Sequence, residues 1–311
     1  MKKRLLLSLI VSLFCWTGLE QIAKWSLVQD VTIDSVAMPY DSHLLWKLGS
    51  GTHQFGRLEA QINDDGFREV PINEDVQDQI VFLGDSSTFG FEVSVEETFA
   101  YKVAKCLRMN PVNAAVPGYT STQSMLQWER LSHKVQPKIL ILASLWSDLV
   151  QTEYPDSVLF SEQLQISPWQ TWLYSHSHVY RWLHLQFQTD HNAGRNQIFW
   201  QRLLRGEDQD SFSPRVPPKD YERNLEEILS LNPDILHVVL LLPTNTSMGQ
   251  PKEAKGYRTR AKKMASQHGA LVVDMDDFVS DFTLRERFLD VVHPSSLGHT
   301  EIATEVCDAL R

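Results

Sequence analysis

From residue 80 onward, short and nearly continuous apolar runs alternate with segments of helical spacing. Runs of this length without polar alternation are typical of strands buried on both faces of a parallel sheet. The predicted strands are 80–83, a short strand ending at Pro117-Gly118, 138–144, 234–242 and 271–274. Helices are predicted at 96–108, 122–133, 221–231 and 254–268, with a last helix after Pro294. This order predicts a three-layer α/β/α sandwich around a five-stranded, mainly parallel sheet.

Two long stretches fall outside that alternation. Residues 28–79 contain only short apolar segments divided by glycine and aspartate, which predicts a strand-and-turn lead-in that covers a sheet edge. Residues 151–215, rich in tryptophan, predict a helical insertion in the main domain 80–311. The insertion is expected to form a lid or pocket wall over the strand ends, or else to be ordinary helix packing. His176 and His178 have no acidic or cysteine partner at ligand spacing, so no metal is predicted.

The amino terminus combines a basic start with an apolar run. Residues 1–4 carry three positive side chains, and the apolar segment 5–19 ends at Glu20, as in a secretory signal or signal anchor. The basic start stays in the cytoplasm, so the remainder is expected to be exported. Because no A-x-A pattern follows, we favour an uncleaved single-pass anchor over 1–27 in the inner membrane, with the main domain on the periplasmic side. Secretion after cleavage is the alternative.

Composition excludes one class of partner. The chain has 311 residues, of which 42% are hydrophobic and 22% charged, enough for one α/β domain with a large core. Its formal net charge of -10 leaves no basic stripe to neutralise phosphates. We therefore expect no nucleic-acid partner.

Three cysteines are too few for a disulfide scaffold. Cys106 and Cys307 fall on the first and last predicted helices after residue 80, which cover the same sheet face in a flavodoxin-like winding. The pair could therefore meet in a disulfide. Two buried free thiols are the favoured expectation, and Cys15 lies apart in the amino-terminal apolar run.

Three residues offer the chemistry of acyl transfer. A strand that ends at Gly84-Asp85-Ser86 places Ser86 at the carboxyl edge of the sheet, where open α/β sheets carry their chemistry. Asp290 and His293 lie three residues apart, before a proline that keeps His293 out of the α region. Serine catalysis needs a nucleophile, a base and an orienting carboxylate. Each segment also has a non-catalytic interpretation. Gly84-Asp85-Ser86 could be an ordinary βα turn, and His293 with the proline after it could be an ordinary start of a helix.

These residues match the motifs of a known family in order. Over roughly residues 42–311 the chain resembles the SGNH/GDSL hydrolases. Gly84-Asp85-Ser86 resembles the first block, Gly118 the glycine of the second block, and Asp290–His293 the last block. The lead-in 63–68, N-D-D-G-F-R, is similar to that of bacterial members.

The resemblance implies roles for these residues. Ser86 is then the nucleophile, His293 the base and Asp290 the orienting acid, with no metal or cofactor. Oxyanion donors come from the backbone N–H groups of Ser86 and Gly118. His299, in the last helix without a nearby carboxylate, is expected to be structural.

One block departs from the family pattern. The third block usually reads Gly-x-Asn-Asp, whereas Leu145–Asp148 places Ser147 where the oxyanion-binding Asn would lie. Loss of one oxyanion donor costs about a hundredfold to a thousandfold in rate. Three alternatives stay open. Ser147 partly replaces the Asn, or the enzyme is slow, or the oxyanion hole is deliberately incomplete.

The sequence as a whole predicts a serine esterase or acylhydrolase that acts on an O-acylated glycan, a lipid or another envelope ester. An O-acyltransferase that passes the acyl group to a sugar would use the same triad. A catalytically impaired binding or scaffold protein in envelope polysaccharide assembly is a third hypothesis, favoured by Ser147 and opposed by the intact Ser86, Asp290 and His293.

Overall fold

A computed structural model of the chain describes residues 15–23, 37–41, 43–152, 155–163, 213–243, 254–278, 285–290 and 292–311, and also residues 169, 173, 177, 179, 180 and 183. The chain divides into two compact units. The first comprises residues 1–46 with 160–208, and the second residues 47–159 with 209–311.

The strands, in chain order, are β1 (Tyr40–Asp41), β2 (Leu45–Trp46), β3 (Gly51–Phe55), β4 (Leu58–Ile62), β5 (Gln79–Gly84), β6 (Asn110–Asn113), β7 (Ile139–Ala143), β8 (Gln151–Thr152), β9 (Ser213–Pro214), β10 (Leu236–Leu241) and β11 (Leu271–Asp274). The helices are α1 (Ser86–Phe89), α2 (Phe99–Leu107), α3 (Ser121–Ser132), α4 (Trp146–Leu149), α5 (Asp156–Gln163), α6 (Pro218–Ser230), α7 (Ala254–Gln267), α8 (Met275–Phe278) and α9 (Ser296–Ala309). Two 3₁₀ turns, Val95–Glu97 and Arg285–Arg287, and a helical segment at 15–23 complete the described elements.

Five strands of the second unit form one parallel sheet in the order β11-β10-β7-β5-β6. This is the flavodoxin-like order, and it confirms the predicted five-stranded parallel sheet. The chain runs from β5 outward to β6 and then returns to β7 on the other side of β5. The strand order therefore reverses between β5 and β7, and the crevice at their carboxyl ends is the place where such sheets bind ligands.

Alternate side chains of the central strands enter two separate cores, which makes the three predicted layers. Val81 and Leu83 of β5 pack in a cluster with residues of α3, α6 and α7. Ile80 and Phe82 point the other way and pack with residues of α2 and α9. Because both faces are covered, the central strands are apolar almost throughout, as their sequence indicated.

The first predicted helix, 96–108, is divided in the structure. Its beginning is the 3₁₀ turn Val95–Glu97, and α2 starts afresh after Thr98. The Thr98 hydroxyl accepts a hydrogen bond from the Tyr101 N–H at 3.2 Å, an N-cap that fixes the new start. A capping threonine inside an apparently continuous helical pattern is the reason for the difference.

Arg68 of the lead-in contacts the edge strand of the sheet. Strands β3 and β4 form an antiparallel hairpin, and Arg68 makes an antiparallel bridge to Asn113 of the edge strand β6. This bridge brings Arg68 next to the turn that follows β5.

Two predictions concern residues that are mostly outside the described part of the chain. Of the predicted anchor 1–27 only residues 15–23 are described, and of the insertion 151–215 mainly its two ends, while His176 and His178 lie outside. Within the described residues, no helix has the length and apolar character needed to cross a membrane.

The expectation of two free thiols is wrong, because Cys106 and Cys307 form a disulfide. Helices α2 and α9 lie side by side on one sheet face, and their pairing brings the two Cα atoms to 6.5 Å. That separation lies within the usual range for a disulfide. Cys15 is free and exposed.

The disulfide closes a loop with a sequence separation of 201, so its removal should increase the conformational entropy of the unfolded chain. We expect the Cys106→Ala/Cys307→Ala variant to lose about 2–5 kcal/mol of unfolding free energy in urea titrations. Cys15→Ser is the control and should unfold at the wild-type midpoint. Three free thiols in the denatured, unreduced protein would contradict the disulfide.

Candidate active site

The turn after β5 depends on a close approach between two strands. Gly84 has φ +155°, and a Cβ there would lie 2.4 Å from both the Ala143 carbonyl oxygen of β7 and Thr88 Oγ1. Only glycine fits this position. Asp85 then caps α1 by accepting a hydrogen bond from the Ser87 N–H at 3.0 Å. Ser86 is therefore the first residue of a short helix at the carboxyl end of β5.

The three predicted catalytic side chains meet at this turn. His293 Nε2 lies 2.8 Å from Ser86 Oγ, and His293 Nδ1 lies 2.6 Å from Asp290 Oδ2. Ser86 and His293 are separated by 207 residues in sequence. The hydroxyl, imidazole and carboxylate thus form one continuous chain of hydrogen bonds, the arrangement by which a serine is activated for nucleophilic attack.

Backbone groups hold the carboxylate of Asp290 in place. Its Oδ1 accepts hydrogen bonds from the N–H groups of Val292 and His293, both at 2.9 Å. Burial alone would raise the pKa of Asp290, but the hydrogen bonds and charge of His293 outweigh it, so this pKa lies below its ordinary value. Asp290 is therefore ionised at neutral pH and can orient and stabilise an imidazolium.

The imidazole of His293 is enclosed as well as oriented. Its side chain is 11% exposed, and the Phe91 ring lies against it with a centroid distance of 4.7 Å. The Ser87 hydroxyl donates to the carbonyl of Val292 at 3.1 Å, which joins the His293 loop to α1. These contacts limit the imidazole to the orientation that reaches Ser86.

The two predicted oxyanion donors are the backbone N–H groups of Ser86 and Gly118. The N–H of Ser86 is in the first turn of α1 and has no acceptor inside the helix. Gly118 lies in the loop after β6 with φ +79°, and Val116 N–H donates to the Gly84 carbonyl at 3.1 Å. This last bond brings the Gly118 loop beside the turn that carries Ser86.

Ser147 has a different partner from the one that its position in the third block suggested. Its hydroxyl donates to Asp85 Oδ2 at 3.3 Å, and its backbone N–H also bonds to Asp85. Burial raises the pKa of Asp85, and the bonds from Ser87 and Ser147 oppose that shift. In this arrangement Ser147 supports the cap of α1.

Arg68 was not singled out from the sequence, except as part of the lead-in motif 63–68. Its buried guanidinium donates to the carbonyls of Phe89, Gly90 and Val93 at 2.8, 2.6 and 2.7 Å. It also lies 5.0 Å from the Phe89 ring centroid. Burial lowers the pKa of Arg68 to about 10, against the opposing charge of Glu96. Arg68 thus satisfies the carbonyl groups where the chain leaves α1.

His299 is structural, as expected. It is fully buried, its Nδ1 accepts the Phe99 N–H at the start of α2 at 3.2 Å, and its ring stacks on that of Phe99. Burial lowers its pKa to about 3, and the charges of Lys102 and Arg68 act in the same direction. The imidazole is therefore neutral and caps the first turn of α2.

The described residues contain no group of three or more histidine, cysteine, aspartate or glutamate side chains arranged to hold a metal ion.

Solved structures with a similar chain path include hydrolases and a member of a lipolytic protein family. One is LAE5, an alpha/beta hydrolase from the metagenome of Lake Arreo, Spain, with 17% identity and a TM-score of 0.48 over 75% of this chain and 95% of that one. Another is the lipase/acylhydrolase of Enterococcus faecalis, with 14% identity and a TM-score of 0.48 over 75% and 95%. A member of the lipolytic G-D-S-L family from Veillonella parvula has 13% identity and a TM-score of 0.45 over 75% and 97%.

No protein-family model matches the chain, and no curated protein matches it either.

His299 should make the stability of the protein depend on pH. Its ordinary pKa of 6.5 applies to the unfolded chain, whereas the folded value is about 3. Between these values the unfolded state binds more protons, so the unfolding free energy falls as pH falls from 6.5 towards 3. We expect His299→Gln to show a shallower acid loss than wild type in urea titrations at a series of pH values. Equal slopes would contradict this origin.

Proposed function

We propose that the protein is a serine ester hydrolase of the SGNH/GDSL type. The observation that carries the proposal is the chain of hydrogen bonds from Ser86 through His293 to Asp290, at 2.8 and 2.6 Å. It lies at the carboxyl end of β5, beside the point where the strand order reverses. The resemblance of the sequence blocks to that family points to the same residues.

In the proposed reaction, Ser86 Oγ attacks the carbonyl carbon of an ester while His293 Nε2 takes its proton. Asp290 holds the imidazole in the required tautomer and stabilises the imidazolium. The backbone N–H groups of Ser86 and Gly118 stabilise the negative oxygen of the tetrahedral intermediate. His293 then protonates the leaving alcohol, and the acyl group remains on Ser86.

Deacylation uses the same groups in reverse. His293 takes a proton from a water molecule, which attacks the acyl-enzyme and forms a second tetrahedral intermediate. When that intermediate collapses, His293 returns the proton to Ser86 Oγ and the carboxylic acid leaves.

The proposed site of action is the envelope, with an inner-membrane anchor and the catalytic domain on the periplasmic side. The basic start and apolar run 5–19 support export. The Cys106–Cys307 disulfide supports it independently, because disulfides persist mainly in oxidising compartments. An O-acylated glycan, a lipid or another envelope ester is the proposed class of substrate.

Covalent labelling tests the proposal. A fluorophosphonate probe should label the wild-type protein, because the activated Ser86 attacks its phosphorus, and Ser86→Ala should abolish the label. Ser132→Ala, which removes a hydroxyl bonded to the Glu129 carbonyl at the end of α3, should keep it. In-gel fluorescence and mass spectrometry of the labelled peptide give the measurement. An unlabelled wild-type protein would overturn the proposal and favour the scaffold hypothesis.

Substitution of Ser147 tests the third block. We expect Ser147→Asn to raise kcat on a small ester, because a longer arm would bring an amide N–H to the oxyanion, a donor worth about a hundredfold to a thousandfold. Ser147→Ala is the matched control and should not raise kcat, since it only removes the hydrogen bond to Asp85. A kcat for Ser147→Asn at or below wild type would show that the family geometry of this block does not apply.

A further inference from the structure

The Gly118 loop is a tight turn whose shape decides where one N–H group points. The Tyr119 N–H donates to the Val116 carbonyl at 3.1 Å, so residues 116–119 form a β-turn. Proline at its second position and Gly118 at its third, with φ +79°, are the features of a type II turn. A rotation of the Pro117–Gly118 peptide by half a turn would give type I and direct the Gly118 N–H to the opposite side.

Proline and glycine at these positions favour the type II shape, but they do not set where the turn lies relative to Ser86. Contacts from outside the turn must therefore fix its position.

Two buried side chains supply those contacts. Arg215 Nη1 donates to the carbonyl of Gly118 at 2.9 Å, and Arg215 Nη2 donates to Gln123 Oε1 at 3.2 Å. Asp156 Oδ2 accepts the hydroxyl of Thr120, the residue after the turn, at 2.6 Å. Arg215 and Asp156 thus hold the turn on its carbonyl side and at its exit.

Arg215 and Asp156 also hold each other. Arg215 Nε lies 2.9 Å from Asp156 Oδ1, and Nη2 lies 3.2 Å from Oδ2, so the pair is bidentate. The two residues are 7% and 0% exposed. They stand at opposite ends of the insertion, where β8 pairs with β9 and the Asp156 N–H donates to the Arg215 carbonyl at 2.7 Å.

A buried ion pair is poor evidence of a purely stabilising role. Its desolvation offsets most of the Coulomb attraction, and apolar residues of similar size often stabilise a protein as well or better. What the pair provides beyond stability is direction, because a planar guanidinium fixes its acceptors in space. Here one of those acceptors is the carbonyl of Gly118, in the peptide next to the proposed donor N–H, so the guanidinium fixes the position of the turn.

We propose that Arg215 and Asp156 are positioning residues of the oxyanion hole, which hold the Gly118 N–H towards the ester oxygen. This inference rests on the proposed esterase function. It also gives the two ends of the insertion 151–215 a role, because their pairing positions the turn 116–119 that follows β6.

The test compares Arg215→Lys and Asp156→Asn with Arg258→Lys. Arg258 forms another buried ion pair, with Asp274, between α7 and β11 and outside the proposed catalytic machinery. All three changes weaken a buried pair, but only the first two touch the turn. We expect a tenfold to thousandfold loss of kcat with little change in KM for Arg215→Lys and Asp156→Asn, and near wild-type kcat for Arg258→Lys.

The affinity for a boronic acid inhibitor gives a second readout, because its tetrahedral adduct mimics the oxyanion. Arg215→Lys and Asp156→Asn should weaken this inhibitor by about the same factor as kcat. Two results would overturn the inference. One is a loss of kcat in Arg215→Lys and Asp156→Asn that is no larger than the loss in Arg258→Lys at equal thermal stability. The other is a rise in KM with kcat unchanged. If Arg215→Lys does not fold, the isosteric Asp156→Asn decides alone.

Glycine-selective ¹⁵N spectra separate this inference from the proposed function. Arg215→Lys should shift the Gly118 amide resonance of the full chain, and Arg258→Lys should leave it in place. An inactive wild-type protein with that shift would reject the esterase and keep the positioning role. If the wild-type protein is active, and Arg215→Lys neither shifts the Gly118 resonance nor lowers kcat, only the positioning role is rejected.

Discussion

The close pairing of β5 with β7 up to Gly84 is the constraint on which the site depends. Gly84 faces Ala143 in the register of the two strands, and no side chain fits between them. The chain must therefore turn sharply at that point, and Asp85 converts the turn into the start of a helix. Every group of the proposed machinery is arranged around the residue that follows.

A turn this sharp leaves carbonyl groups without partners, and remote parts of the chain satisfy them. Arg68 of the lead-in binds three of these carbonyls, and the Asn113 side chain of β6 donates to those of Thr88 and Phe89, both at 3.4 Å. In the loop after β6, Arg215 donates in the same way to the carbonyl of Gly118. Both arginines act through planar donors that reach two or more acceptors, a task for which lysine is poorly suited.

The sequence predicted the parts of the structure that depend on local residue types, namely the sheet and three side chains of the site. Buried strands are apolar on both faces, and Gly84-Asp85-Ser86 and Asp290–His293 carry recognisable residue types, so the sheet and the three side chains of the triad could be named in advance. The roles of Arg68 and Arg215 could not, because each is set by contacts with residues at least 21 and 59 positions away. For Cys106 and Cys307, the sequence placed two helices on one face but did not fix the distance between them.

The disulfide makes it easier for Ser86 and His293 to meet again after local or global unfolding. Without it, Ser86 and His293 are joined only by a chain of 207 residues. With it, the shortest covalent path runs from Ser86 to Cys106 and from Cys307 back to His293, a few tens of residues in all. By the logarithmic law of loop closure, this shortening reduces the entropic cost of their reunion by about 1.5 kcal/mol. Ser86 and His293 therefore remain tethered neighbours even when the sheet between them has come apart.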